Sequence, residues 1–385
     1  MLGLYVHVPF CGKICDYCDF SAISVPESYY LEYLDLVSRE VSVFAERHPD
    51  ALGKVETLYV GGGTPSALPP ELLSRLFEAL RSAGVPLSRL RESTMEFNPE
   101  SCDAERLSVA RSYGVDRVSL GIQSFDGELL DRIGRSHRAG TGESALAFLT
   151  DDVPGLRVTA DLMFDLPGQT LDGFLADLAH LMEFPLGHVS FYGLKVDTRT
   201  RLGHRVARGE LSVDEDLYAD MYRRGVGFLA SRGLERYETS NFALPGQESL
   251  HNLNYWRRGE YLAFGPGAHG FFEGVRFHAP EKYAPWRNYV KSGCPRDLLD
   301  LDIVDGEALA AELIQLSLRT SEGLDLEILR KNGKNVPKSA ILRWEREGFL
   351  VRSGSRIALS GDGWLFMDRV VEDLFCNCVP YSNLE

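Results

Sequence analysis

Val55-Glu56-Thr57-Leu58-Tyr59-Val60-Gly61-Gly62-Gly63-Thr64-Pro65-Ser66 reads as a β-strand running into a glycine loop, and a helix begins soon after, near Pro70. β-Branched and aromatic residues favour the strand, and three glycines free the loop backbone. This strand–loop–helix unit recurs on both sides. Upstream, residues 4–8 alternate as a half-buried strand that Pro9 ends, and Leu31, Leu34, Val37, Val41 and Phe44 then follow the step of one helix face. Downstream, strands are expected at 94–97 before Asn98-Pro99, at 117–120 before Gly121-Ile122-Gln123, at 158–163 before Leu166-Pro167-Gly168, and at 188–194. Six strands alternating with helices predict a parallel sheet. The unusual residues gather beyond the strands' carboxyl ends, where parallel βα barrels carry their sites. The expected fold class is α/β, a partial (βα)6 TIM-like barrel over residues 1–235; a doubly wound open sheet fits the same alternation.

Past Tyr237 the pattern changes to short strands and aromatic-rich loops. Two of them, His251-Asn252-Leu253-Asn254-Tyr255-Trp256 and Phe264-Gly265-Pro266-Gly267-Ala268-His269, are expected to line one wall of a pocket within a connecting segment, 236–305. From Glu307, three short helical stretches and a hairpin over 349–359, turning at Ser353-Gly354-Ser355, predict a winged-helix-like C-terminal domain, 306–385. Its last helical stretch, 339–347, sets Arg343 and Arg346 against Glu345 and Glu347, where a DNA reader would be basic.

Of 385 residues, 44% are apolar and 25% charged, levels that exclude a disordered, collagenous or coiled-coil chain. Asp and Glu number 56 against 41 Lys and Arg, and the net charge of −15 repels phosphate backbones, so nucleic acid is not an expected partner. No apolar run approaches the roughly 18 residues that cross a bilayer. The opening residues also lack the basic start and apolar run of a secretory signal. A cytoplasmic protein is expected, with a peripheral station at the membrane left open.

Seven cysteines are too sparse for a disulfide scaffold in this length, and three of them, Cys11, Cys15 and Cys18, crowd into one short loop. Thiolates ligate iron–sulfur clusters, and three would leave one iron of a [4Fe–4S] cube open to the amino and carboxylate groups of a small molecule. Zinc needs a fourth ligand, which His7 could supply only if its strand bent back. Three unligated thiols would oxidise readily. Beside such a loop, the glycine motif becomes a cradle for the methionyl part of S-adenosylmethionine. Cys376 and Cys378 are expected as idle thiols on a frayed terminus.

The opening Tyr5-Val6-His7-Val8-Pro9-Phe10-Cys11, the C-x-x-x-C-x-x-C spacing and the glycine motif resemble the radical S-adenosylmethionine enzymes. With Glu96-Phe97-Asn98-Pro99, Gly121-Ile122-Gln123-Ser124, Gly134-Arg135-Ser136-His137, Asp161-Leu162-Met163-Phe164 and the motif from His251 to Trp256, nearly the whole chain is similar to the HemN-type group. That group holds oxygen-independent coproporphyrinogen III oxidases and HemW heme chaperones. The resemblance implies that Cys11, Cys15 and Cys18 bind a [4Fe–4S] cluster, and that Tyr5, Gly62, Gly63, Thr64, Glu96, Gln123, Arg135 and Asp161 contact S-adenosylmethionine. Carboxylates accept from an ammonium or a ribose diol, Arg clamps a carboxylate, and an aromatic suits a sulfonium. Duller roles compete: Glu96 and Asp161 bonding loop amides, Gln123 capping a turn, Arg135 in a surface salt bridge.

The oxidases carry a further cysteine two residues after the third, where this chain has Phe20, and a long amino-terminal extension, where only ten residues precede Cys11. Both departures favour the HemW branch. That branch implies heme as ligand, a heme-acceptor protein (a membrane respiratory enzyme among the options) and an unnamed electron donor. Heme is expected between the barrel mouth and residues 241–269, with His251 the first axial candidate and Tyr255, Trp256 and His269 behind it. A buried aromatic corner around a hydrogen-bonded His251 is the competing reading. The alternative function is the oxidase, which decarboxylates porphyrinogen propionates by radical chemistry; a zinc- or DNA-binding protein built on the terminal segment is a third. Asp165 stands where the group usually has Gly, a departure that bears on the backbone of that loop and so on the placement of Asp161.

Overall fold

The computed structural model describes residues 1–212 and 214–381; residues 382–385 of the expected C-terminal domain lie outside the described residues. Strands β1 (Leu2–Val8), β2 (Val55–Gly62), β3 (Glu92–Phe97), β4 (Arg117–Gln123), β5 (Arg157–Phe164) and β6 (His188–Gly193) lie side by side in chain order and run parallel. A doubly wound sheet reverses its strand order at a switch point. This one does not, so the barrel reading stands and the open-sheet alternative falls. Helices Ser28–Arg47, Pro70–Ser82, Ala104–Ser112, Thr141–Asp151, Leu171–Leu181 and Glu215–Ala230 return the chain along the outside.

Alternation along each strand divides the two faces. In β1, Leu4, Val6 and Val8 pack outward with Leu34, Leu58, Val60 and Phe77 in one continuous core. Each such buried side chain contributes about 1.5–3 kcal/mol, so the outer layer holds the sheet and leaves the concave face free for polar groups. Strands β7 (Glu235–Arg236) and β8 (Asn241–Ala243) extend the sheet beyond β6, while β9 (Tyr261–Phe264), parallel to β1, leads to β10 (His269–Phe272), β11 (Val275–His278) and β12 (Asp300–Ile303). In the resulting order of twelve strands β12 and β7 are the two edges, so the barrel is partial.

The His251 motif is corrected by the structure: it is an α-helix, Leu250–Trp256, and not a loop. Glu92, at the start of β3, fixes that helix by accepting from Ser249 Oγ (2.9 Å), the Leu250 amide (3.1 Å) and the His251 amide (3.0 Å). Arg117, at the start of β4, donates to the carbonyls of Gln247 (2.8 Å) and Glu248 (3.2 Å) and pairs with Glu92 at 3.3 Å. The helix therefore closes the amino-terminal end of the strands, opposite the cysteine loop. The terminus is likewise not frayed at Cys376 and Cys378: a helix spans Met367–Cys376, and Val379–Pro380 pairs with Lys334–Asn335.

Candidate functional site

At the carboxyl ends of the strands, the cysteine loop is tied down on both sides. Ile23 donates its amide to the Pro9 carbonyl (2.7 Å), Cys11 donates to Ile23 (3.0 Å), and Asp16 donates to Ile133 (2.9 Å). The glycine loop is joined to it, since the amides of Gly63 and Thr64 reach the carbonyls of Val8 (2.8 Å) and Phe10 (2.7 Å). Glycine is required here for two reasons. Gly62 has φ +116°, and a Cβ on Gly63 would stand 2.8 Å from the Phe10 carbonyl oxygen.

Cys11, Cys15, Cys18, Gly62, Gly63, Thr64, Glu96, Gln123, Arg135 and Asp161 all line one cavity of about 470 Å³. Thr64 Oγ1 lies 3.4 Å from Cys11 Sγ and accepts from Asn98 Nδ2 at 3.1 Å. Arg135 is buried, not the surface salt bridge that was the duller option: its Nη2 donates to the Gly121 carbonyl (2.6 Å) and Asn98 Oδ1 (3.1 Å), and its Nη1 points at Cys15 Sγ (3.6 Å). Its Nε has no hydrogen-bond partner among the described residues. Glu96 accepts from the Tyr59 hydroxyl (2.7 Å) and the Gly62 amide (3.0 Å), and Asp161 from Ser119 Oγ (2.9 Å). Burial pushes Glu96 up to about 7 and Asp161 up to about 6. Burial also raises the Cys11 thiol, and Cys18 to about 11.

Backbone strain sits at the same strand ends. Gln123 (φ 69°) and Asp165 (φ 58°) both occupy the left-handed region, where non-glycine residues are uncommon. Asp tolerates it better than most residues. Asp165 adopts a backbone conformation that glycine takes freely, and Asp161 lines the cavity.

Two candidate residues stand elsewhere. Tyr5 does not line this cavity; its hydroxyl bonds His7 Nδ1 (2.9 Å) and its ring borders a neighbouring cavity. His251 is wholly buried, with Nδ1 on Thr57 Oγ1 (2.9 Å), Nε2 on the Tyr255 hydroxyl (2.7 Å), and its ring stacked on Tyr59. Burial lowers it to about 3. With both nitrogens engaged, an axial ligand role for His251 is not supported, and the competing reading of a buried aromatic corner is the one observed. His7 is similarly unavailable to zinc, since its Nε2 bonds the Ser21 carbonyl at 3.0 Å.

Several cavity residues were not singled out from sequence: Asn98 as a bridge, Ser119 and Ser190 beside Asp161, and Tyr192, whose hydroxyl donates to Gln123 at 2.9 Å. Strand register held the signal. Glu96 pairs with Ser119 and Asp161 with Ser190 across neighbouring strands, so their side chains share one face.

Residues 5–181 match the model of the radical SAM superfamily. The chain is 34% identical to the heme chaperone HemW of Lactococcus lactis, over 84% of this chain and 83% of that protein. It is 31% identical to HemW of Bacillus subtilis over 96% and 98% of the two chains, and 34% identical to HemW of Mycobacterium tuberculosis over 97% and 94%. Its fold superposes on the radical SAM coproporphyrinogen III oxidase HemN of Escherichia coli with a TM-score of 0.82, at 20% identity, over 97% of this chain and 89% of that one.

Proposed function

Because the chain belongs to the HemW heme chaperones of the radical SAM superfamily, we propose that it binds heme and passes it to an acceptor protein, on a scaffold that holds a [4Fe–4S] cluster and S-adenosylmethionine. The observation that carries this reading is the likeness to HemW chaperones over almost the full length of both chains. In this reading residues 1–235 hold the cofactors and 236–305 handle the cargo.

The cysteine cavity fits those cofactors. Among the described residues no three His, Cys, Asp or Glu side chains converge as ligands of a single metal ion. A cubane asks for something different, three thiolates that each meet a separate iron. Thiols raised by burial must lose their protons to bind iron, which makes loading pH-dependent. The unpaired Nε of buried Arg135 and the glycine backbone suit a carboxylate and a close-lying ligand. When bound, such a cluster supplies one electron to the sulfonium of S-adenosylmethionine. Glu96 and Asp161 then accept from its ammonium or ribose hydroxyls, Arg135 holds its carboxylate, and Gln123, braced by Tyr192, fixes the pocket wall. Tyr5 is left out of this set.

The oxidase alternative shares the fold, but Phe20 replaces the additional cysteine of that branch and stands 68% exposed at the mouth of the cavity. The test is anoxic incubation of the reconstituted protein with reductant, S-adenosylmethionine and coproporphyrinogen III, alongside titration with hemin. Heme uptake without porphyrinogen decarboxylation is expected. Repeated turnover to the two-propionate product would overturn the chaperone reading.

A further inference from the structure

The concave face continues past the cysteine cavity onto β1, β9, β10 and β11, where a second cavity of about 540 Å³ opens. Tyr5, Phe20, Tyr255, Tyr261, His269 and His278 give it flat, largely aromatic walls. Phe20 and Asp19 of the cysteine loop border both cavities. The β10–β11 hairpin sets His269 opposite His278, and their rings stack with centroids 3.9 Å apart and planes 9° from parallel.

These two imidazoles differ from the histidines deeper in the fold. His7, His188 and His251 engage tyrosine hydroxyls, whereas His269 is exposed and its ring is held by stacking on His278. A bare divalent ion is a poor occupant. Stacked rings present their nitrogens side by side and not toward one point, and no third ligand converges there among the described residues. An iron tetrapyrrole brings four nitrogens of its own and asks the protein for an axial imidazole and flat walls. Partial burial of its ring, and after it the neighbouring His278, hold His269 below the ordinary imidazole value, which keeps its lone pair available at neutral pH.

We infer that this second cavity is the heme seat and that His269 supplies the axial ligand, with His278 a positioning residue stacked against it. The inference deepens the chaperone reading and rests on it. It places heme beside the cysteine loop, with Tyr255 standing between it and the buried His251.

The experiment is hemin titration of the full, anaerobically reconstituted protein, read by difference absorbance and by electron paramagnetic resonance of the ferric heme. His269→Ala should shift the Soret band and weaken binding at least about tenfold, and free imidazole should restore the band. His278→Ala should weaken binding while keeping the band position. His48→Ala, which alters the separate apolar cavity between the Ser28–Arg47 helix and β10, should match the parent. A His269→Ala protein with the parent's band and affinity, or a His48→Ala protein that loses them, overturns the site while leaving the chaperone reading intact. A parent protein that takes up no heme overturns both.

Discussion

Lowering the pH from about 7.5 to about 5.5 should weaken S-adenosylmethionine binding by up to about a hundredfold through its two carboxyl contacts, close to 3 kcal/mol. The reason is the pair of buried carboxyls in the cysteine cavity. Burial pushes Glu96 up to about 7, against the Tyr59 hydroxyl and Gly62 amide that pull it down, and Asp161 up to about 6, against Ser190 and Ser119. The ionised carboxylate is the stronger acceptor for an ammonium or a ribose diol. A ligand that binds only the ionised forms must expel whatever protons the two groups hold, so affinity rises with pH until both are ionised. Glu96 dominates the loss between about pH 7 and 6, and both groups contribute below about 6. Glu96→Gln removes the upper step and should shrink the loss over the same interval about 25-fold relative to the parent, whereas Asp161→Asn should shrink it about fourfold. The ligand's own α-amino group titrates near pH ~8 and must lose its proton to meet the open iron, a further loss common to the parent and both variants, so the ratio of parent to variant carries the carboxyl effect. Calorimetric titration at each pH, with iron content assayed on the same samples to separate cluster loss from weaker binding, measures the effect. A flat affinity in the parent, or a Glu96→Gln profile that tracks the parent, would refute the reasoning.

Replacing Cys15 with Ser should remove most of the iron and sulfide after anaerobic reconstitution; contents equal to the parent would end the three-thiolate assignment. Glu92→Gln leaves the buried Arg117 and half-buried Arg157 facing a neutral amide and weakens the anchor of the Leu250–Trp256 helix. Its expected cost is about 3–5 kcal/mol, read as a lowered thermal midpoint, and a midpoint within a degree of the parent's contradicts it. His251 sits depressed to about 3 by burial, so the stability it contributes is complete above its unfolded value near ~6.5 and declines as pH falls, by up to about 1.4 kcal/mol per unit. Chemical unfolding of His251→Phe should therefore lose less stability than the parent between about pH 6.5 and 5; parallel pH profiles would count against a neutral, buried imidazole.

Long-range order was legible where local patterning repeats. The first six strands each carry an apolar outward row and are separated by helices, so their existence and parallel sense follow from period alone. Strands β9 to β12 are four residues each, and β12 is exposed along its whole length. They exist through pairing with β1 and with one another, and no local alternation announces that. The Leu250–Trp256 helix was hidden for a related reason. Two asparagines and two aromatics make a weak helix former over seven residues, and what holds it is Glu92, 159 residues upstream of His251.

The same distinction governs the site. The cysteines and glycines were readable because their chemistry belongs to the residue type and their spacing to one loop. The role of a histidine is decided by what reaches its nitrogens, and sequence is silent on that. Within a few turns of chain, His251 and His269 look alike as candidate ligands. The barrel closes over the first, with Thr57 and Tyr255 on its two nitrogens. It leaves the second on the β10–β11 hairpin, stacked on another imidazole and open to the concave face. Availability of a lone pair, and not proximity to an aromatic motif, separates a structural histidine from a ligand. By that criterion, heme ligation is expected on the β10–β11 hairpin and not in the His251 helix.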